Sequence, residues 1–222
     1  MRWCAVAVLL RVAGCSLAAL PLDNAPSKPL VRCWSPSYPE KVLCSWTLER
    51  DTHLPTEVTA TYSLGFKGKV QQCVRDALDD SLCVIEEPEL YSSLPYYINV
   101  SASNTAGQAS TLLPFIVENI VKPDPPVNVM ATPTPGRSRQ LSLQWAPPPS
   151  WPLPQLFPLK YLVQYSWGQD KHSRTVGPYE ETRCTLKGLR PRSSYTVRIS
   201  ALDFIDNGEA SEWSEPASAN TT

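Results

Sequence analysis

Histidine is almost absent from this chain: 222 residues contain two, His53 and His172, far apart in sequence. Catalysis needs a nucleophile beside a base, paired carboxylates in a cleft, or a metal-ligand set. Glycine is also scarce, at nine residues, and none of them builds a phosphate-cradling loop. The neighbouring carboxylates Asp79-Asp80 and Glu86-Glu87 read as solvated loop charges. No enzyme is expected, and no catalytic residue, cofactor or metal ligand is assigned. An excess of one charge is missing too, since 20 Lys and Arg against 21 Asp and Glu leave a formal net charge of −1. The basic residues are scattered, so nothing attracts a phosphate backbone or an anionic lipid surface, and nucleic acid is excluded as a partner. Finally, no uninterrupted run of about 18 apolar residues occurs, which a spanning helix would require, so membrane insertion is not expected.

One apolar stretch is short and lies at the start. Arg2 is followed by the run Trp3 to Leu10 and by the small residues Ser16-Leu17-Ala18-Ala19, the order of a secretory signal. Residues 1–20 are read as that signal, with cleavage between Ala18 and Asp23, because Arg11 splits the apolar segment. The remaining chain is expected to be secreted, without an anchor, into an oxidising extracellular compartment.

Proline is abundant. Its 23 residues leave little room for long helices, because proline lacks the backbone donor and breaks helix interiors. Val-Lys-Pro-Asp-Pro-Pro-Val, residues 121–127, forms a stiff elbow that neither a helix nor a central strand accepts. It divides the chain into modules at 28–121 and 122–222, and the halves rhyme. Tyr96, Ile98, Val100 and Ala102 in one match Tyr195, Val197, Ile199 and Ala201 in the other. Similar alternation at Val58–Leu64, Leu141–Trp145 and Tyr161–Tyr165, bounded by turn residues, predicts an all-β chain of two tandem antiparallel β-sandwiches. Leu189-Arg190-Pro191 followed by Tyr195 reads as a tyrosine corner.

Of seven cysteines, Cys4 and Cys15 leave with the signal, and Cys33, Cys44, Cys73, Cys83 and Cys184 remain. The first four fall into two close pairs, so sequential disulfides Cys33–Cys44 and Cys73–Cys83 are expected, each stabilising by about 2–3 kcal/mol. A metal site is the rival reading, but the spacing is wrong and no histidine is near. Cys184 shares a strand face with Leu186 and is expected to be a buried, inert thiol, with an interchain disulfide as the alternative. Asn99-Val100-Ser101 is a glycosylation sequon, and Asn99 points outward because Ile98 and Val100 point in. Asn220-Thr221-Thr222 is a formal match that is expected to be little used.

Cys33, Cys44-Ser45-Trp46, Cys73 and Cys83, then Lys122-Pro123-Asp124-Pro125-Pro126, then Ser211-Glu212-Trp213-Ser214, occur in an order that resembles the class I cytokine receptors. The resemblance covers the chain beyond the signal. It implies fibronectin type III-like sandwiches, the second carrying a Trp-Ser-x-Trp-Ser box that is degenerate here, because Ala210 stands in place of the first Trp. It also implies that Ser211, Trp213 and Ser214 brace the module, with the indole stacked on Arg198, or with help from Arg192 or Arg174. Ser150-Trp151-Pro152, Lys160-Tyr161 and Pro114-Phe115 resemble a secreted member of that family. The resemblance further implies a soluble receptor-like subunit that pairs with a four-helix-bundle cytokine alpha subunit. The resulting heterodimeric cytokine would act through class I receptors on immune cells. Three loop segments are candidates for the contact: Leu90 and Tyr91; Trp151, Leu153, Leu156 and Phe157; and Asp203, Phe204, Ile205 and Asp206. Asp206 is expected to face a cationic side chain on a helix of the partner. The alternative is an adhesion or matrix module, or a soluble decoy receptor.

Overall fold

A computed structural model describes residues 24–168 and 172–222; the signal reading for residues 1–20 lies outside the described residues. The first module packs two antiparallel sheets. One runs in the order β1 (Leu30–Ser37), β2 (Lys41–Thr47), β6 (Leu82–Glu86), β5 (Val74–Arg75); the other runs β4 (Gln71–Gln72), β3 (Glu57–Leu64), β7 (Tyr96–Asn104), β8 (Gly107–Phe115). The second module pairs β13 (Arg183–Lys187), β10 (Gln140–Ala146) and β9 (Val127–Pro133) against β12 (His172–Tyr179), β11 (Leu159–Trp167), β14 (Ser194–Asp203) and β15 (Ala217–Asn220). No helix among the described residues is long and apolar enough to cross a membrane.

The alternating rows build both cores. Tyr96, Ile98, Val100 and Ala102 of β7 are buried, as are Tyr195, Val197, Ile199 and Ala201 of β14. Each opening tyrosine closes its loop in the same way: the Glu89 N–H donates to the Tyr96 hydroxyl and the Arg190 N–H to the Tyr195 hydroxyl, both at 2.8 Å. Sequence reasoning saw only the second of these corners.

Cys33 and Cys44 are register partners on β1 and β2 and form a disulfide with Cα atoms 4.1 Å apart. Cys73 bonds to Cys83 across 5.5 Å where the chain passes from β4 in one sheet to β5 in the other. Its N–H donates to the Ala60 carbonyl of β3 while its sulfur is tied to β6, so one residue staples both sheets. Cys184 differs from expectation. It is half-buried rather than enclosed, because β13 is an edge strand and Leu186 alone on that face reaches full burial.

Between the modules lies a 3-10 turn, Val117–Ile120, followed by buried Val121, which bridges Ser35 of β1 in parallel. The proline-bearing residues 122–126 join no sheet, and β9 begins at Val127.

Candidate loop surface at the module junction

Two of the three candidate segments meet around one residue that sequence reasoning missed, and the third is tied to the second. Tyr38, in the turn between β1 and β2, is fully buried, and its ring packs edge-on to Phe157 at 5.1 Å and 89°. Its hydroxyl is 3.5 Å from the Glu118 carboxylate, which also accepts the Tyr91 N–H at 2.8 Å. Burial pushes the Tyr38 hydroxyl pKa up; a hydrogen bond with Tyr91 and the charges of Glu118 and Asp203 push it the same way. Tyr38 therefore packs on the second loop through Phe157 and is linked to the first through Glu118. A tyrosine followed by proline in a tight turn reads as exposed, so nothing in its local sequence marks this role.

Each loop is braced from within. In the first, Leu90 is half-buried against the core, while Tyr91 takes a left-handed backbone (φ 52°) and leaves its ring 70% exposed. In the second, Trp151 is not a surface contact. It is buried, and its indole N–H donates to the Phe157 carbonyl at 2.8 Å, pegging the loop shut. The Leu156 and Phe157 N–H groups both donate to the Leu153 carbonyl, and this turn sets Leu153 and Leu156 outside and Phe157 against Tyr38.

The third loop needs two corrections. Asp203 is buried, and its carboxylate accepts the N–H groups of Ile205 and Asn207 at 3.3 and 3.1 Å, so it shapes the turn rather than meeting a partner. Asp206 is not a free charge either. Its Oδ1 lies 2.6 Å from Nζ of Lys160, whose side chain is largely covered. The pairing arises because β11 and β14 bring Lys160 opposite Leu202, beside the turn. Phe204 and Ile205 remain exposed, and the Phe204 N–H donates to the Pro158 carbonyl, tying the third loop to the second. The outcome is a surface of Tyr91, Leu153, Leu156, Phe204 and Ile205 over a framework of buried anchors, with the Lys160–Asp206 pair beside it.

The box serves a different end. β15 pairs with β14 only from Ser194 to Val197, leaving the donors of Ile199 and Ala201 without a strand partner. The Ser214 hydroxyl accepts the Ile199 N–H at 2.9 Å and the Ser211 hydroxyl the Ala201 N–H at 2.8 Å. Both carbonyls are met in turn by the backbone N–H groups of the same two serines. Trp213 is half-exposed in a hollow lined by Pro125, Pro126 and Pro149, whereas Arg198 lines another hollow beside Trp167 and Ser166. The bonds that hold the box to β14 come from its two serines, while the Trp213 indole and the Arg198 guanidinium line different hollows. Asn99 sits half-exposed on the outward row of β7, between Thr61 of β3 and Leu112 of β8.

Comparison with known proteins gives the same architecture a family. Residues 29–115 match the model of the IL27B N-terminal FN3 domain, and residues 124–220 match the fibronectin type III domain. Human interleukin-27 subunit beta is 41% identical over 86% of this chain and 84% of its own length; the Mus musculus protein is 40% identical over 86% and 85%. The human ciliary neurotrophic factor receptor subunit alpha is 33% identical over 87% of this chain, which spans 51% of that relative. Receptor-like subunits built from such domains are not enzymes. Two fibronectin type III domains, both matched in order, and identity sustained over most of both chains mean that the chain belongs to the interleukin-27 subunit beta family of cytokine-receptor-like proteins.

Proposed function

We propose that this chain is a secreted receptor-like subunit that captures a four-helix-bundle cytokine alpha subunit, of the interleukin-27 alpha or interleukin-12 alpha type. The resulting heterodimeric cytokine would signal through class I cytokine receptors to regulate immune cells. The observation that carries this reading is the convergence of three loops on exposed Tyr91, Leu153, Leu156, Phe204 and Ile205. Loops on a rigid scaffold are where binding residues concentrate, and an apolar cluster ringed by polar groups is the usual mark of a partner surface. On this reading residues 1–20 are removed as a signal, 28–121 and 122–222 are the working domains, and a glycan on Asn99 occupies a sheet face away from these loops. Asp206, being paired within the chain and largely exposed, serves at the rim, where charge alters association rate and salt dependence more than strength.

Co-expression with candidate alpha subunits and recovery of the complex from the medium test the proposal. Tyr91→Ala and Ile205→Ala are each expected to weaken capture by about 30-fold, as for hot-spot truncations of about 2 kcal/mol. Their melting temperatures should stay near that of the unaltered chain, because both side chains are exposed. If neither substitution alters capture of any four-helix cytokine while the chain binds cells or matrix unaided, the adhesion-module reading takes its place.

A further inference from the structure

The segment joining the modules is gripped by backbone from both sides. From the first module, Ser35 of β1 bridges Val121 and accepts the Lys122 N–H at 2.9 Å. From the second, the turn just before the box closes on the same place, with the Glu209 N–H donating to the Val121 carbonyl at 2.8 Å. Gly208 permits this approach. Its backbone is left-handed at φ +66°, and a Cβ there would overlap the Val121 carbonyl oxygen and lie 2.6 Å from the Val121 nitrogen. Those obstructing atoms are backbone atoms of a fully buried residue, so they have nowhere to give. Charges surround the contact. Lys122 Nζ lies 2.9 Å from Glu212 and 3.8 Å from Glu209, and Glu209 lies 3.7 Å from Arg32 of β1. Through Glu209, a side chain of the second module meets one of the first.

We infer that Gly208 is the positioning residue of the junction. By letting the pre-box turn seat on Val121, it fixes the angle between the modules and so the spacing between Tyr91 on one and Phe204–Ile205 on the other. The consequence for capture rests on the proposed function above; the consequence for the angle does not. An added methyl group at Gly208 forces the turn off the linker, and the two loop sets then lose their register while each sandwich stays intact. Gly136 makes the matched control, since it has a similar backbone (φ +69°) with nothing within 4 Å of a Cβ. Gly136→Ala therefore carries the conformational strain of Gly208→Ala without the collision.

The experiment places a donor and an acceptor dye, through non-natural amino acids, at exposed Leu78 and Glu180 of the full chain and reads transfer efficiency in single molecules. Gly208→Ala is expected to shift the mean efficiency and to lower alpha-subunit capture by about tenfold, the loss of one good contact's worth of alignment. Gly136→Ala should change neither. Glu209→Ala combined with Glu212→Ala, which adds no atom, should broaden the efficiency distribution and provides the reading if Gly208→Ala is not secreted. Unchanged efficiency in folded Gly208→Ala, or in the double variant where that is the one obtained, overturns the inference. A shifted efficiency with undiminished capture overturns the positioning role. If the unaltered chain captures no four-helix cytokine, the functional proposal fails, and the efficiency measurement still decides the junction.

Discussion

Replacing Ser214 with alanine removes a single oxygen, and the structure specifies what that oxygen does. The Ile199 N–H donates to it at 2.9 Å, in a place where Ile199 is 0% and Ser214 4% exposed. No strand stands ready as a substitute, because β15 leaves β14 at Val197. The Ile199 donor is then stranded in the interior, and an unsatisfied buried donor costs about 1–3 kcal/mol. For a module near 100 residues that corresponds to a drop in melting temperature of about 5–15 °C. The assay is thermal or urea unfolding of the secreted protein, followed by secretion yield. Ser218→Ala is the control, since that hydroxyl meets only Thr196 at an exposed position and its loss should cost less than about 0.5 kcal/mol. If Ser214→Ala melts with Ser218→Ala, the hydroxyl is not holding the strand edge and the account of the box as a backbone substitute is wrong. Reduced stability with undiminished partner capture would show the box to be a brace, and stable protein with lost capture would show it to be a contact.

Two further outcomes rest on single groups. Burial pushes the Cys184 thiol up to about 11, against an opposing hydrogen bond from Tyr179. The protonated thiol is thus favoured in the folded state, so the stability it contributes is present below the ordinary value of 9.0 and is lost as pH rises through about 11. Alkylation of the native protein should accordingly be slow at pH 8 and should accelerate toward pH 11, whereas Cys184→Ser should remove both the labelling and that part of the alkaline loss of stability; rapid labelling at pH 8 would contradict the shift. Asn99 should carry a glycan in secreted material, read as a mass difference removed by a glycosidase; bare Asn99 would leave that sheet face available to a partner.

Much of the fold was legible because burial in a sandwich repeats every second residue. Tyr96 to Ala102 and Tyr195 to Ala201 wrote the same inner row twice, and the cysteine partners lay close together in sequence. Local sequence carried that information. What it did not carry was register between distant elements. Lys160 meets Asp206 only because β11 and β14 align it beside the turn. Cys184 lies half-open only because β13 falls at a sheet edge. Likewise, the apolar run Trp151–Phe157 was visible as an odd loop, but its division into an inward peg and outward leucines depended on one indole bond to the Phe157 carbonyl. Tyr38 was the largest omission, because its partners Glu118 and Phe157 lie far along the chain, Phe157 more than half a chain away.

The residues that were missed, Tyr38 and Glu118, and those expected as contacts but found buried, Trp151 and Asp203, share a physical character that bears on binding. Glu118, Asp203 and Trp151 satisfy backbone groups of the loops before any partner arrives, and Tyr38 packs against Phe157 and meets Glu118. Glu118 holds Tyr91, Asp203 holds Ile205 and Asn207, and Trp151 holds Phe157. Association costs about 0.5–1.5 kcal/mol for each rotamer-rich side chain it must order, with loop ordering in addition. A loop whose main chain is already fixed avoids the second part of that cost. The exposed apolar residues can then contribute mainly through the area they bury, and their contribution depends on the spacing between modules more than on induced ordering within a loop. A junction that set that spacing loosely would return the cost as lost alignment. On the proposed function, the backbone grip of Gly208 and Glu209 on Val121 would therefore matter to capture as much as the side chains that touch the partner.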